Sequence, residues 1–213
     1  MTSDPRRKSA LHNRRALSSP DVSIRELPFQ GKLVLRGDAY RISAAVHTAI
    51  SIDLPRSVKG TATAGGITAI WLAPDEWWLI VPPGEELALK SKLEIALFGT
   101  PSLVTDVTDY YTTIALEGTK ARELLMKLTT IDMHPRAFKI GDAVSSNFGR
   151  AVAVLRQTRD DVGRQGPAFE ILIRISMADY LWCVLAEAGH EWGLPIETPK
   201  GQVKQHLPHF DGH

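Results

Sequence analysis

Three histidines within eight positions, His206, His209 and His213, form the densest group of metal-ligating side chains in the chain. Imidazoles at that density could take up a divalent cation, but Pro208 and Gly212 fall among them and prevent a rigid helical presentation. The group therefore reads as adventitious binding on a disordered or partner-docked tail. His47 has no second ligand at i+3 or i+4 and reads as a packing or surface histidine. Cys183, the single cysteine, lies in an apolar helical run with no basic side chain at helical spacing to stabilise a thiolate. It reads as an inert small apolar residue. Four carboxylates beside apolar stretches, Asp53, Asp106, Asp109 and Asp132, fall at strand and turn borders. There a carboxylate bonds more readily to backbone N–H groups than it forms an acid–base pair.

The motifs of independent cofactor chemistry are missing: no Gly-x-Gly-x-x-Gly after a strand, no phosphate loop, no Cys-x-x-Cys, no His-Glu-x-x-His and no Gly-x-Ser-x-Gly. No catalytic, cofactor-binding or metal-binding residue is expected in this chain. Residues 1–20 carry Arg6, Arg7, Lys8, Arg14 and Arg15 against Asp4 alone, with no hydrophobic period. Such an arm is either a solvated, mobile terminus or a segment that orders on an acidic partner. A nucleic-acid tail is disfavoured, because no aromatic residue interleaves the arginines. The formal net charge of +1 offers no global attraction to nucleic acid or membrane. One cysteine excludes an internal disulfide, and no signal-like apolar segment is visible, so a reducing cytoplasm is the expected location. No run approaches the roughly 20 apolar residues of a membrane span.

The elements that position these residues centre on residues 106–138. Residues 112–116 alternate as a strand, Gly118 permits a tight turn, and Thr119 can cap a helix whose Ala121, Leu124, Leu125 and Leu128 fall at i, i+3, i+4 and i+7. The same grammar occurs earlier, where Leu33, Leu35 and Gly37 answer Ile114, Leu116 and Gly118, and Asp38 replaces Thr119 as the cap. Ser51-Ile52-Asp53-Leu54-Pro55 then answers Thr130-Ile131-Asp132-Met133-His134-Pro135. Each copy continues with two strands and a helix, over 69–73, 77–81 and 85–98 in the first and 151–156, 169–175 and 177–188 in the second. The expected fold class is α+β, with duplicated βαββα units sharing one sheet system. The expected divisions are a basic arm over 1–30, halves over 31–105 and 106–190, and a tail over 191–213.

Between the repeats the reading is coarser. Residues 22–30 look extended, 56–66 form a loop with room for an edge strand, 136–147 look polar and irregular, and 157–167 have turn composition. Ser176 and Asp179 carry a capping-box spacing for the last helix, with Asp in place of Glu. Trp77 and Trp78 point to opposite faces of one strand. Either both indoles are core, or one is buried by a partner. With Arg6, Arg7, Arg14, Arg15 and the tail's Trp192, they are the candidates for a partner interface.

Leu116-x-Gly118-x-x-Ala121-x-x-Leu124 followed by Thr130-x-Asp132 resembles the folate-binding domain of glycine-cleavage aminomethyltransferases. Four blocks resemble the gamma subunits of heterotetrameric sarcosine oxidase: PDEWWLIVPPG at 74–84, DVTDYYTTIALEG at 106–118, KLTTIDMHPRAF at 127–138 and RISMADYLWCVL at 174–185. The related subunit of N-methylglutamate dehydrogenase is similar too. The resemblance implies an aminomethyltransferase folate-binding-domain-like fold with extended N- and C-terminal arms, in a chain that carries no cofactor. FAD, FMN, NAD, tetrahydrofolate and zinc would sit in the alpha, beta and delta partners. Where aminomethyltransferases place an acidic pair, this chain reads Phe148-Gly149-Arg150-Ala151, and the Lys-Gly-Cys-Tyr-x-Gly-Gln-Glu loop of the tRNA-modifying relatives is absent. Both departures argue against independent folate chemistry. A free-standing folate-binding one-carbon protein is the alternative of a different class.

Overall fold

A computed structural model describes residues 8–160 and 163–198. Arg6, Arg7, His206, His209 and His213 lie outside the described residues. The duplication is visible in the topology, with three strands rather than the expected two between the helices of each unit, βαβββα. The first unit runs β3 (Gly31–Gly37), α1 (Ala39–Ile50), β4 (Thr61–Ala64), β5 (Ile67–Ala73), β6 (Glu76–Val81) and α2 (Glu86–Ala96). The second runs β8 (Tyr111–Glu117), α3 (Ala121–Met126), β9 (Ala143–Phe148), β10 (Ala151–Arg159), β11 (Ala168–Arg174) and α4 (Ile175–Ala188). One further strand closes each sheet beside the first strand of its unit: β7 (Ser102–Asp106) beside β3, and β2 (Ser23–Leu27) beside β8. The orders are β4-β5-β6-β3-β7 and β9-β10-β11-β8-β2-β1, with β1 at Leu17–Ser18 and every pairing antiparallel.

The halves do not share one sheet as expected; two sheets pack face to face. The strands are apolar on both faces, so each sheet needs two covers. Leu33, Leu35, Trp77 and Leu79 pack with Ile42 and Val46 of α1 and Leu89 and Leu93 of α2. Ile114, Leu116, Phe169, Ile171 and Ile173 do the same with α3 and α4. The opposite faces, with Val34, Ile70, Trp78 and Ile80 from one sheet and Tyr111, Ala143, Val154 and Leu172 from the other, meet in a third cluster. The layers therefore run helices, sheet, sheet, helices.

Local capping follows the sequence in one half only. Asp38 caps α1, its carboxylate accepting from the N–H groups of Tyr40 and Arg41. Thr119 does not cap α3; its hydroxyl donates to Asp21 Oδ1 at 3.1 Å. The capping box expected for α4 is out of place, because the helix begins at Ile175 with Arg174 as its cap and puts Ser176 inside the first turn; Asp179 accepts from Arg14. Residues 136–147 are not wholly irregular, since β9 pairs with β10 as a hairpin. The described part of the basic stretch is not a mobile terminus: Leu11 and Leu17 are buried in the second-half core, with Val22 and Ile24 of the extended segment that follows. Residues 17–27 thus form the outer edge of the second sheet, with β2 supplying the partner that β8 needs on that side.

Candidate functional site

The pleat that builds the core between the sheets runs on past the point where the sheets cover each other. Two residues beyond buried Val154, Leu172 and Trp78, on the same strand faces, stand Val152, Arg174 and Glu76. They line an open cavity of about 520 Å³ at the end of the sandwich, with Tyr111 and Trp78 toward its floor and Arg150 and Met177 on its rim. Trp78 meets Tyr111 edge-on, the ring centroids 4.5 Å apart. Arg150 and Arg174 are both exposed. Glu76, the cavity's one carboxylate, lies 3.7 Å from Arg36.

A second arrangement joins Arg14 to Glu197 and Thr198 over α4. The buried Arg14 guanidinium donates to Asp179 Oδ1 at 2.8 Å, to Glu197, and to the Thr198 carbonyl at 2.8 Å, and lies 3.3 Å from Cys183 Sγ. These carboxylates hold the Arg14 pKa above its ordinary value, against the desolvation that burial imposes. Burial pushes the Cys183 thiol up from its ordinary 9.0; Arg14 opposes that shift, while Asp179 and Glu197 add to it. The thiol therefore stays protonated, although a basic neighbour does exist that helical spacing did not reveal.

Two expected results follow for this clasp. Arg14→Ala should cost about 1–3 kcal/mol in urea unfolding, less than a fully buried pair, because both carboxylates keep water contact. Arg14→Lys should not restore it, since a single ammonium cannot reproduce the forked donation. An Arg14→Ala chain as stable as wild type would show that the clasp contributes nothing. For Cys183, a thiol pKa raised in the fold gives stability that is fully present below the unfolded thiol's value and is lost as pH climbs through the raised one. Cys183→Ala should flatten that alkaline loss, measured as melting temperature against pH; an unchanged slope would assign the loss elsewhere.

The other candidates separate. Trp77 has no exposed surface, and its indole donates to the Pro55 carbonyl at 2.7 Å, so it has nothing to offer a partner in this fold. Its neighbour Trp78 is 6% exposed, at the cavity floor. Arg15 is exposed, and Trp192 is partly covered, with Lys127 Nζ 4.1 Å from its ring centroid. Of the acidic residues, Asp106 and Asp132 accept from the Thr108 and His134 N–H groups as turn residues do, and Asp53 pairs with His47 at 2.9 Å. Among the described residues no His, Cys, Asp or Glu cluster could hold a metal, and no helix is long and apolar enough to cross a membrane. Sequence reasoning did not single out Arg174 as a site residue, although it opens the block at 174–185; the structure places it two residues beyond Leu172 on a strand face that reaches the cavity.

The model of the family described as sarcosine oxidase, gamma subunit, matches residues 36–191. The chain belongs to the sarcosine oxidase gamma subunit family. A sarcosine oxidase subunit gamma of Arthrobacter sp is 30% identical over 198 residues, covering 89% of this chain and 93% of that protein. A chain of the heterotetrameric sarcosine oxidase of Corynebacterium sp. U-96, solved with pyrrole 2-carboxylate, superposes with a TM-score of 0.79 at 26% identity, covering 90% of this chain and 99% of that one. The glycine cleavage system aminomethyltransferase T of Bartonella henselae shares the fold, with a TM-score of 0.59 at 15% identity, over 78% of this chain and 46% of that one. All four sequence blocks that resemble gamma subunits fall inside the matched residues.

Proposed function

We propose that this chain is a non-catalytic subunit of a sarcosine oxidase complex, serving as a structural element around which the catalytic subunits assemble. The observation that carries this reading is the match over 89% of this chain with a gamma subunit and over 90% of it with a chain solved within a heterotetrameric sarcosine oxidase. In this reading the partners are alpha, beta and delta subunits. They hold FAD, FMN, NAD, tetrahydrofolate and zinc, and the complex works in the cytoplasm. It demethylates sarcosine oxidatively to glycine, reducing oxygen to peroxide and passing the one-carbon unit to tetrahydrofolate. The chain's own contribution is surface and rigidity. Two facing sheets with helices outside give a stiff body, since close-packed interiors transmit load with little compression.

The test is capture of the tagged full chain from its host, with mass spectrometry of bound proteins and an absorbance scan for flavin. Co-purification of flavin-bearing subunits that oxidise sarcosine supports the reading. Preference for N-methylglutamate would move the chain to the related dehydrogenase, and a lone colourless protein that binds folate would overturn the reading in favour of a free one-carbon protein.

A further inference from the structure

Resting on the subunit role proposed above, the geometry points to the open end of the sandwich as the docking site for a segment of another subunit that carries an acidic side chain beside apolar ones. Elsewhere on the second sheet, arginines are matched by carboxylates: Arg25 and Arg159 by Glu117, and Arg156 by Glu170. Arg150 and Arg174 line the cavity without an ion pair among the described residues, and the cavity's only carboxylate is already beside Arg36. Two cations over an apolar floor are left for an anion.

The walls favour a protein segment over a free anion. Val152 is 62% exposed although its face continues the inter-sheet core, and half-buried Leu72, Ala73 and Met177 line the cavity with it. A small carboxylate beside the arginines would leave that apolar lining wet. A segment with an Asp or Glu between apolar residues would cover it, bring its carboxylate to the cavity that Arg150 and Arg174 line, and strengthen the charge contacts by excluding water.

The experiment uses the full chain in the assembled complex. Val152→Cys supplies a thiol at the mouth, and the native Cys183 is buried, so maleimide labelling reports on position 152. Labelling is expected to be about tenfold slower or more in the complex than in the isolated chain, and Arg150→Glu with Arg174→Glu to lower the recovered subunits by a similar factor. The isolated double variant should melt as wild type does, and Arg41→Glu, an exposed charge on α1, should leave recovery unchanged. Full reactivity of the Val152→Cys thiol in a complex that still forms would overturn the docking site and leave the subunit role standing. Protection in the isolated chain that rises with its own concentration would assign the surface to a second copy. Protection by benzoate alone would assign it to a small carboxylate, and either result overturns the inference. Recovery of no subunit by the wild-type chain would end both readings.

Discussion

Arg122→Met is expected to be among the most damaging single substitutions in the second half, costing about 3–5 kcal/mol, because three buried acceptors lose their donor at once. Arg122 sits on α3 with 5% exposure. One guanidinium nitrogen donates to the carbonyls of Met133 and Phe138, and another to Gln157 Oε1 at 3.1 Å, with the group stacked 5.3 Å from the Phe169 ring centroid. Met133 and Phe138 are themselves buried, so their carbonyls cannot recover water without the segment between them lifting away. Methionine keeps most of the apolar stem, so the loss isolates hydrogen bonding from volume. Arg122→Lys should recover only part of the stability, because one ammonium cannot span acceptors that a planar fork reaches together. Urea unfolding gives the energy, and hydrogen exchange over residues 129–138 should show where protection is lost. A loss under about 1 kcal/mol would mean that these acceptors find other donors or water.

This network also marks the limit of what the sequence reveals. Features encoded within a few residues were legible: the strand–glycine–helix grammar of both units, the Asp38 cap, the opposite faces of Trp77 and Trp78, and the turn roles of Asp106 and Asp132. Each depends on spacing along one element. Illegible features join residues far apart in the chain. Arg14 meets partners 165 and 183 positions away, one of them the Asp179 carboxylate of α4. Thr119 bonds to Asp21, 98 positions earlier. Where a helix starts decides whether a capping residue can act, and α3 and α4 start from Lys120 and Arg174 rather than from the residues that the spacing names. The cavity was hidden for a related reason. Val152, Arg174 and Glu76 occupy ordinary strand positions, and only the offset between two packed sheets leaves those positions open.

Gly118→Ala should cost a similar 3–5 kcal/mol or so, through backbone rather than side-chain chemistry. Gly118 has φ +128°, and an added Cβ would stand 2.2 Å from the Asp21 carbonyl oxygen and 2.8 Å from Val22 Cα. That carbonyl is held in place by the Lys120 N–H at 3.1 Å, while Gly118 N–H donates to the Pro167 carbonyl at 3.1 Å. Three separated stretches of chain therefore meet at one position, and relieving the clash means breaking a hydrogen bond and pushing the β1–β2 edge away from β8. Gly65→Ala is the control. Gly65 also has positive φ, at +56°, but an added Cβ would meet nothing within 4 Å, so only the conformational cost of about 1 kcal/mol should appear. Equal losses for the two substitutions would show that the close approach at Gly118 relaxes freely. The position also separates stability from assembly. Gly118 follows the end of β8, whereas Tyr111 at its start lies on the cavity floor, and the substitution leaves Arg150 and Arg174 untouched. At temperatures where it remains folded, the Gly118→Ala chain should still recover other subunits, while charge reversal at the cavity should lose them from a chain of full stability.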